Sequence, residues 1–370
     1  MPEITWKQDA QKMLDVLKKM TILTKTNTVY ATLSNNELYL KSGYNQHLVS
    51  WKLPVSYEGE TINFGFKSDP IKVFIGTKQE VTFVYDSDNS ILKFKSNRSR
   101  GELQTIPWDD FEVVANDTKP IDKVLQDAIF DNFNRLNFLG TGFTDTSVLK
   151  VKAHEGLLTL QVAEDLYVGV VKKKVDCQDD LSMDIALCYA DIMVNSFTRE
   201  DKVEISVSPN LVCLVSKQGT IVLPRIAENA VISIEQIEDF YATNVTKETL
   251  TTAVIFPNKS ELLPYVKEMK DFFNTASKEG KITFIVEKTP EGDKTTLRTI
   301  IPEGKMFTDI EKCKIQGGTT FTTCFIPLIF ALANIDDGVI KIALYNNMIL
   351  IKSSADPESY YILFNQVENS

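Results

Sequence analysis

Acid–base chemistry has few places to reside in this chain. Histidine, the side chain best suited to proton transfer near neutral pH, occurs only at His47 and His154. His154 sits in Lys152-Ala153-His154-Glu155-Gly156, which reads as a hairpin turn, and His47 sits in a polar turn of its own. Neither has a serine or cysteine nucleophile signature nearby, and no Gly-x-Ser-x-Gly elbow occurs. Gly140-Thr141-Gly142 follows a helix-like stretch rather than a strand, so it lacks the context of a dinucleotide-binding turn, and no Walker A sequence is present. Asp86-Ser87-Asp88-Asn89 opens like a calcium loop. However, Ile91 stands where the sharp turn needs glycine, and Asn97 where the bidentate glutamate belongs, so it reads as another hairpin turn. The cysteines (Cys177, Cys188, Cys213, Cys313 and Cys324) are odd in number and widely spread. They contain no Cys-x-x-Cys pair, which argues against a zinc site or a disulfide framework. The residues therefore imply no catalytic group, no metal and no cofactor.

The remaining chemistry is charge and apolar surface. The 370 residues are 43% hydrophobic and 24% charged, an ordinary globular composition long enough for two or three domains. No apolar run is long enough to span a membrane, and the N-terminus lacks a signal peptide, so a cytoplasmic location is expected. A net charge of −10 argues, taken alone, against nucleic acid, because affinity for phosphates comes from Lys and Arg. What matters is where the positive charges sit.

The elements that would position those charges repeat three times. Val81–Pro107, Val203–Pro224 and Val339–Val367 each read as an antiparallel meander turning at Asp-Ser-Asp-Asn, Ser-Pro-Asn or Tyr-Asn-Asn. A short apolar helix precedes each one: Asp69–Gly76, Ile185–Phe197 and Thr322–Asn334. A longer amphipathic helix lies further upstream, over Trp6–Met20, Ile121–Leu139 and Lys259–Ser277. Another β-rich stretch separates the two helices, over Thr32–Val55, Leu149–Val175 and Ile282–Pro302. The period is roughly 120 to 140 residues, the usual size of one domain. Boundaries fall near Asn116-Asp117 and Ala242–Asn244, giving domains 1–117, 118–243 and 244–370. The fold class is α+β, in three tandem copies of a domain with two helices packed on antiparallel sheets.

Within this frame, Leu92–Pro107 (LKFKSNRSRGELQTIP) resembles the Ser-Gly-Arg-Ser-Arg segment and following Leu-Pro of bacterial-type DNA polymerase sliding clamps, the β subunit family. Tyr360–Val367 resembles that family's last strand, and Glu261–Asn274 the first helix of its third domain. The three-copy layout covers essentially the whole chain. The sequence departs from the family at Val162–Tyr167, where the family carries Thr-Asp-Gly-His-Arg-Leu, and at Glu368–Ser370, which lacks its apolar end. These departures fit a divergent member, a viral one included.

The resemblance implies half of a six-domain ring. Two copies would associate head to tail around duplex DNA, with helices lining the hole and sheets outside. The partners would be double-stranded DNA without sequence specificity, a DNA polymerase, a clamp loader and a second copy of the chain, with no membrane. Helical wheels agree with this picture. Trp6, Ala10, Met13, Leu14 and Leu17 share one face, with Gln8, Lys12, Lys19 and Asp15 opposite; Leu125, Ile129 and Leu136 oppose Lys123; Leu262, Val266 and Met269 oppose Lys267. The expected DNA-facing residues are Lys12, Lys19, Lys25, Lys123, Lys267 and Lys278. The resemblance also implies a partner-peptide groove lined by Leu166, Tyr167, Leu223, Pro224, Ile362 and Phe364. It further implies a subunit interface of Ile71, Val73 and Phe74 against Phe272 and Phe273, with Arg98 and Arg100 at the rim. Phe272 lies roughly 95° from the centre of its helix's apolar face, too far round to join that core. Two other readings of the repeats stay open: a phage structural or adhesion protein, and a monomeric processivity factor of similar fold.

Overall fold

Alternating burial decides the first element. In Ile4–Asp9, Trp6 and Gln8 point inward while their neighbours face solvent, and the segment pairs antiparallel with Glu80–Asp86. The helix predicted from Trp6 therefore begins only at Ala10, where the Asp9 side chain accepts the Lys12 amide at 3.0 Å. Gln8, expected on a solvated helix face, is 2% exposed.

The computed structural model describes residues 3–44, 47–76, 78–97, 99–109, 118–137, 147–164, 166–177, 179–196, 202–226, 232–272, 280–290, 292–301 and 304–366. The first elements are β1 (Ile4–Asp9), α1 (Ala10–Thr24), β2 (Thr28–Ser34), β3 (Glu37–Tyr44) and β4 (His47–Pro54). Then come β5 (Ile62–Lys67), α2 (Ser68–Ile75), β6 (Glu80–Asp86), β7 (Ile91–Ser96) and β8 (Ser99–Gln104). The order recurs as β9 (Lys119–Pro120), α3 (Lys123–Phe133), β10 (Val148–His154), β11 (Leu157–Glu164) and β12 (Tyr167–Lys174). It continues through β13 (Leu181–Ala186), α4 (Leu187–Asn195), β14 (Glu204–Val207), β15 (Leu211–Val215) and β16 (Gly219–Pro224). An extra helix, α5 (Ile234–Asn244), precedes β17 (Leu250–Phe256), α6 (Leu263–Phe272), β18 (Lys281–Thr289), β19 (Gly292–Ile301) and β20 (Gly304–Ile310). The chain closes with β21 (Lys314–Gly317), β22 (Phe321–Cys324), α7 (Phe325–Asn334), β23 (Ile340–Tyr345), β24 (Met348–Ser353) and β25 (Tyr360–Phe364).

Two kinds of four-strand block account for the sheets. One kind comprises β5-β2-β3-β4, β13-β10-β11-β12 and β22-β18-β19-β20; the other comprises β1-β6-β7-β8, β9-β14-β15-β16 and β17-β23-β24-β25. Four blocks merge in pairs. β4 joins β16 antiparallel to make an eight-stranded sheet, and β12 joins β25 to make a nine-stranded one that also carries β21. The other two blocks remain four-stranded sheets. By contacts the chain forms two compact units, 1–121 with 192–225 and 122–191 with 226–370. Each unit holds one merged sheet and one four-stranded sheet.

Apolar stripes set the helices on these sheets. Ala10, Met13, Leu14 and Leu17 of α1 are buried, as are Leu125 and Ile129 of α3 and Val266 and Met269 of α6. In the first unit, Trp6 stacks on Phe83 at 5.3 Å. In the second, α5 lays Ile237 and Tyr241 on Val170, Leu350, Tyr360 and Ile362 of the nine-stranded sheet. A capping box starts α5, with Ser233 and Gln236 each bonding the other's backbone. No helix among the described residues is long and apolar enough to cross a membrane.

Candidate functional site

The lysines expected to meet phosphate divide by environment. Lys12 is exposed on the first turn of α1, and Lys25 is exposed at its C-cap in the left-handed region, φ 53°. Lys19 is different, because it is half-buried and its ammonium sits 5.3 Å from the centroid of the Trp51 ring. Burial holds its pKa below the ordinary lysine value, against the pull of Asp15. A sequence wheel sees only the angle of Lys19, not that its ammonium sits over an indole. Lys72 of α2 is spent internally, pairing with Asp69 at 2.7 Å and donating to Thr21 of α1 at 2.9 Å. In the second unit, Lys123 is 75% exposed on α3 and reaches Asp127 at 3.6 Å, while Lys267 is exposed on α6. Lys278 lies outside the described residues. The helices thus carry loosely held cations on their solvated faces. This suits reversible contact with a polyanion, because exposed ion pairs are weak and readily exchanged.

The groove residues separate into core and surface. Tyr167, Leu223 and Ile362 are fully buried, so they support their sheets from within and do not line a groove as expected. Tyr167 meets Phe330 edge-on at 6.0 Å and tilts against Tyr361 at 5.9 Å. Leu166 and Phe364 are half-buried in the second unit, with Phe364 packed at the margin of the cluster under α5. Pro224 is half-buried at the end of β16 in the first unit.

Of the expected interface residues, Ile71 is completely buried beneath α2 and belongs to its own core. Val73 on the same helix is 85% exposed. Phe74 is half-buried and meets Phe94 of β7 edge-on at 4.7 Å. Phe273, Arg98 and the side chain of Phe272 lie outside the described residues, whereas Arg100 is exposed on β8.

The sheet edges stand out more clearly than any of these side chains. β8 and β20 end the two four-stranded sheets, and among the described residues neither has a second strand beside it. Both are six or seven residues long and alternate half-buried with exposed positions. Phe307 on β20 is 55% exposed. A long edge with unpaired N–H and C=O groups is a template for another strand. Sequence reasoning missed these edges because a strand's neighbours are fixed by pairing, not by its own pattern. The alternation Lys305, Phe307, Asp309 on one side of β20 was the legible signal.

The groups that could do other chemistry are occupied. His154 ends β10 beside the turn at Glu155 and Gly156, both at positive φ, and its Nδ1 lies 2.8 Å from Asp180. Burial holds His47 below the ordinary histidine value; the backbone of Leu23 opposes this and Lys25 adds to it. Asp86 accepts the Asn89 amide and faces Lys93 at 3.4 Å, closing a hairpin turn. Gly140 to Gly142 lie outside the described residues. Asp122, Cys177 and Asp179 bring one donor atom each within 4.8 Å, but Asp122 caps α3 and the Cys177 sulfur accepts the Asp179 amide. That arrangement falls short of the four ligands of a structural zinc site.

No family model and no curated protein sequence matches the chain. Solved structures do match it over its whole length. The β subunit of DNA polymerase from Streptococcus pyogenes aligns with 99% of this chain and 100% of its own, at 12% identity and a TM-score of 0.72. A DNA polymerase III β subunit from Thermotoga maritima gives the same figures. A sliding clamp from Pseudomonas aeruginosa, solved bound to griselimycin, aligns with the same shares at 11% identity and a TM-score of 0.73. The chain has the fold of these clamps.

Proposed function

We propose that this chain is a sliding clamp, a non-catalytic DNA polymerase processivity factor that works in the cytoplasm. Two copies would close head to tail around duplex DNA, with three clamp domains each at 1–117, 118–243 and 244–370. The observation that carries the reading is the block pattern. Two junctions within the chain already join one kind of block to the other, β4 to β16 and β12 to β25; of the equivalent strands, only β20 and β8 lack such a junction among the described residues. A third junction of the same kind would join β20 of one copy to β8 of another. An interface between unlike surfaces must close into a ring or grow into a filament, and the matching structures are clamps.

The rest of the reading follows from chemistry. Lys12, Lys25, Lys123 and Lys267, with Lys278 as the sequence suggests, would touch backbone phosphates without reading bases, so the ring could move along DNA. Lys19 would contribute less, since its ammonium already sits over the Trp51 ring. Leu166 and Phe364 would form part of an apolar surface for a linear peptide of the polymerase or the loader, backed by buried Tyr167 and Ile362. Solution mass tests the ring first. Sedimentation at twice 41.8 kDa supports it, and a monomer or an open-ended assembly across all concentrations refutes it.

A further inference from the structure

The two junctions inside the chain share one register, and that register specifies the pairing between two copies. The hairpin before each joining strand is closed by the pairs Tyr44–His47, Glu164–Tyr167 and Ile301–Gly304, so His47, Tyr167 and Gly304 are equivalent first positions. The opposing strands align through a backbone bond just beyond their ends. Ile106, Ile226 and Gln366 donate to the carbonyls of Gly65, Asp184 and Thr322, each three residues before the first residue of α2, α4 or α7. Four residues back from those donors lie Glu102, Val222 and Ile362. In both internal junctions this residue faces the second position of its partner strand: Val222 faces Leu48, and Ile362 faces Val168.

We infer that β20 of one copy pairs antiparallel with β8 of the next with Lys305 directly opposite Glu102, which sets Met306 opposite Gly101 and Phe307 opposite Arg100. The inference rests on the ring reading and adds its register. Three facts on separate residues agree with it. Lys305 and Glu102 are both exposed and oppositely charged, and directly opposed unlike charges stabilise an antiparallel pair. Phe307, the most exposed phenylalanine among the described residues, would lie against the Arg100 guanidinium. On the other face, a Cβ on Gly101 would lie 2.4 Å from the Phe94 ring, so this position takes no side chain of its own. The half-buried Met306 opposite it can extend towards Phe94 and Phe74. A slip of one residue would turn the charged face into the core, which the pleat forbids.

Charge reversal and cysteine pairing test the register in the full-length protein. Glu102→Lys alone and Lys305→Glu alone should each raise the dimer dissociation constant at least tenfold, and the double variant should return to within about threefold of the parent. Under mild oxidation, Glu102→Cys with Lys305→Cys should give a covalent dimer. The offset pair Glu102→Cys with Phe307→Cys should not, with the single variants as background for the native thiols. A protein that sediments as a dimer but links the offset pair, or gains nothing from the double reversal, overturns the register and leaves the ring standing. A parent protein that is monomeric at every concentration overturns both.

Discussion

Arg135 donates from Nη1 to Oδ2 of Asp356 at 2.8 Å, across 221 positions of sequence. Lys173 reaches the same oxygen at 2.7 Å, and Asp336 stands 3.5 Å from the guanidinium. The Tyr361 hydroxyl donates to the Arg135 carbonyl at 3.2 Å. The group ties the turn after α3 and the tail of α7 to β12 and the loop before β25. It therefore buttresses the β12–β25 junction on which the block argument depends.

Asp356→Asn should weaken this junction in a pH-dependent way. Burial would raise the Asp356 pKa, but Lys173 and Arg135 outweigh it and hold the carboxyl at about 2. A depressed acid contributes stability fully above its unfolded value of about 3.9 and loses it as pH falls towards the folded value. Losing these charged hydrogen bonds should cost about 2 kcal/mol at pH 7. Urea unfolding should show the gap between parent and variant closing from pH 4 down to pH 2. A gap that stays constant with pH would remove the ion cluster from the account.

The eight-stranded sheet should be sensitive at Gly219. A Cβ there would lie 2.2 Å from the Ser50 carbonyl oxygen and 3.1 Å from the Trp51 ring, at the point where β16 meets β4. Gly219→Ala should destabilise the protein by about 1–3 kcal/mol through backbone displacement. Gly318→Ala, whose Cβ meets nothing within 4 Å, is the control and should be near neutral. Thermal unfolding of the two variants side by side decides the point.

Much of this architecture was legible in residue patterns. The six paired helices and three meanders follow from periodicity, and the buried faces of α1, α3 and α6 match their apolar stripes. The start of α1 was misplaced because Trp6 fits a helical wheel as well as it fits an alternating strand, and pairing with β6 decided it. The helix α5 was missed although Ser233 and Gln236 spell a capping box, because that stretch was read as the end of a domain. The residues expected to line a groove were the least legible. Tyr167, Leu223 and Ile362 are apolar whether they line a groove or fill a core, and only burial separates the two. Most opaque was the merging of sheets, since Leu48 and Val222 meet across far-separated segments with no local mark in either.

Neutralising Lys12, Lys25, Lys123 and Lys267 together with glutamine should flatten the salt dependence of DNA association. Each lost phosphate contact removes about 0.9 from the slope of log K against log salt. Stability should change by less than about 1 kcal/mol per site, since the four side chains are exposed. An unaltered slope would take these helices away from the DNA.

Leu166→Ala with Phe364→Ala should reduce stimulation of the cognate polymerase at least tenfold while the sedimenting mass stays that of the parent, because apolar anchors dominate peptide grooves. Full stimulation by the double variant would move the partner site elsewhere.

Retention on closed against cut DNA tests the central claim most directly. Protein assembled on a nicked circular plasmid should stay bound through gel filtration in high salt, because a closed ring is held by topology and not by phosphate contacts. One restriction cut should release it within the same buffer. Retention that salt alone abolishes on the intact circle, or that survives the cut, would contradict a ring around DNA.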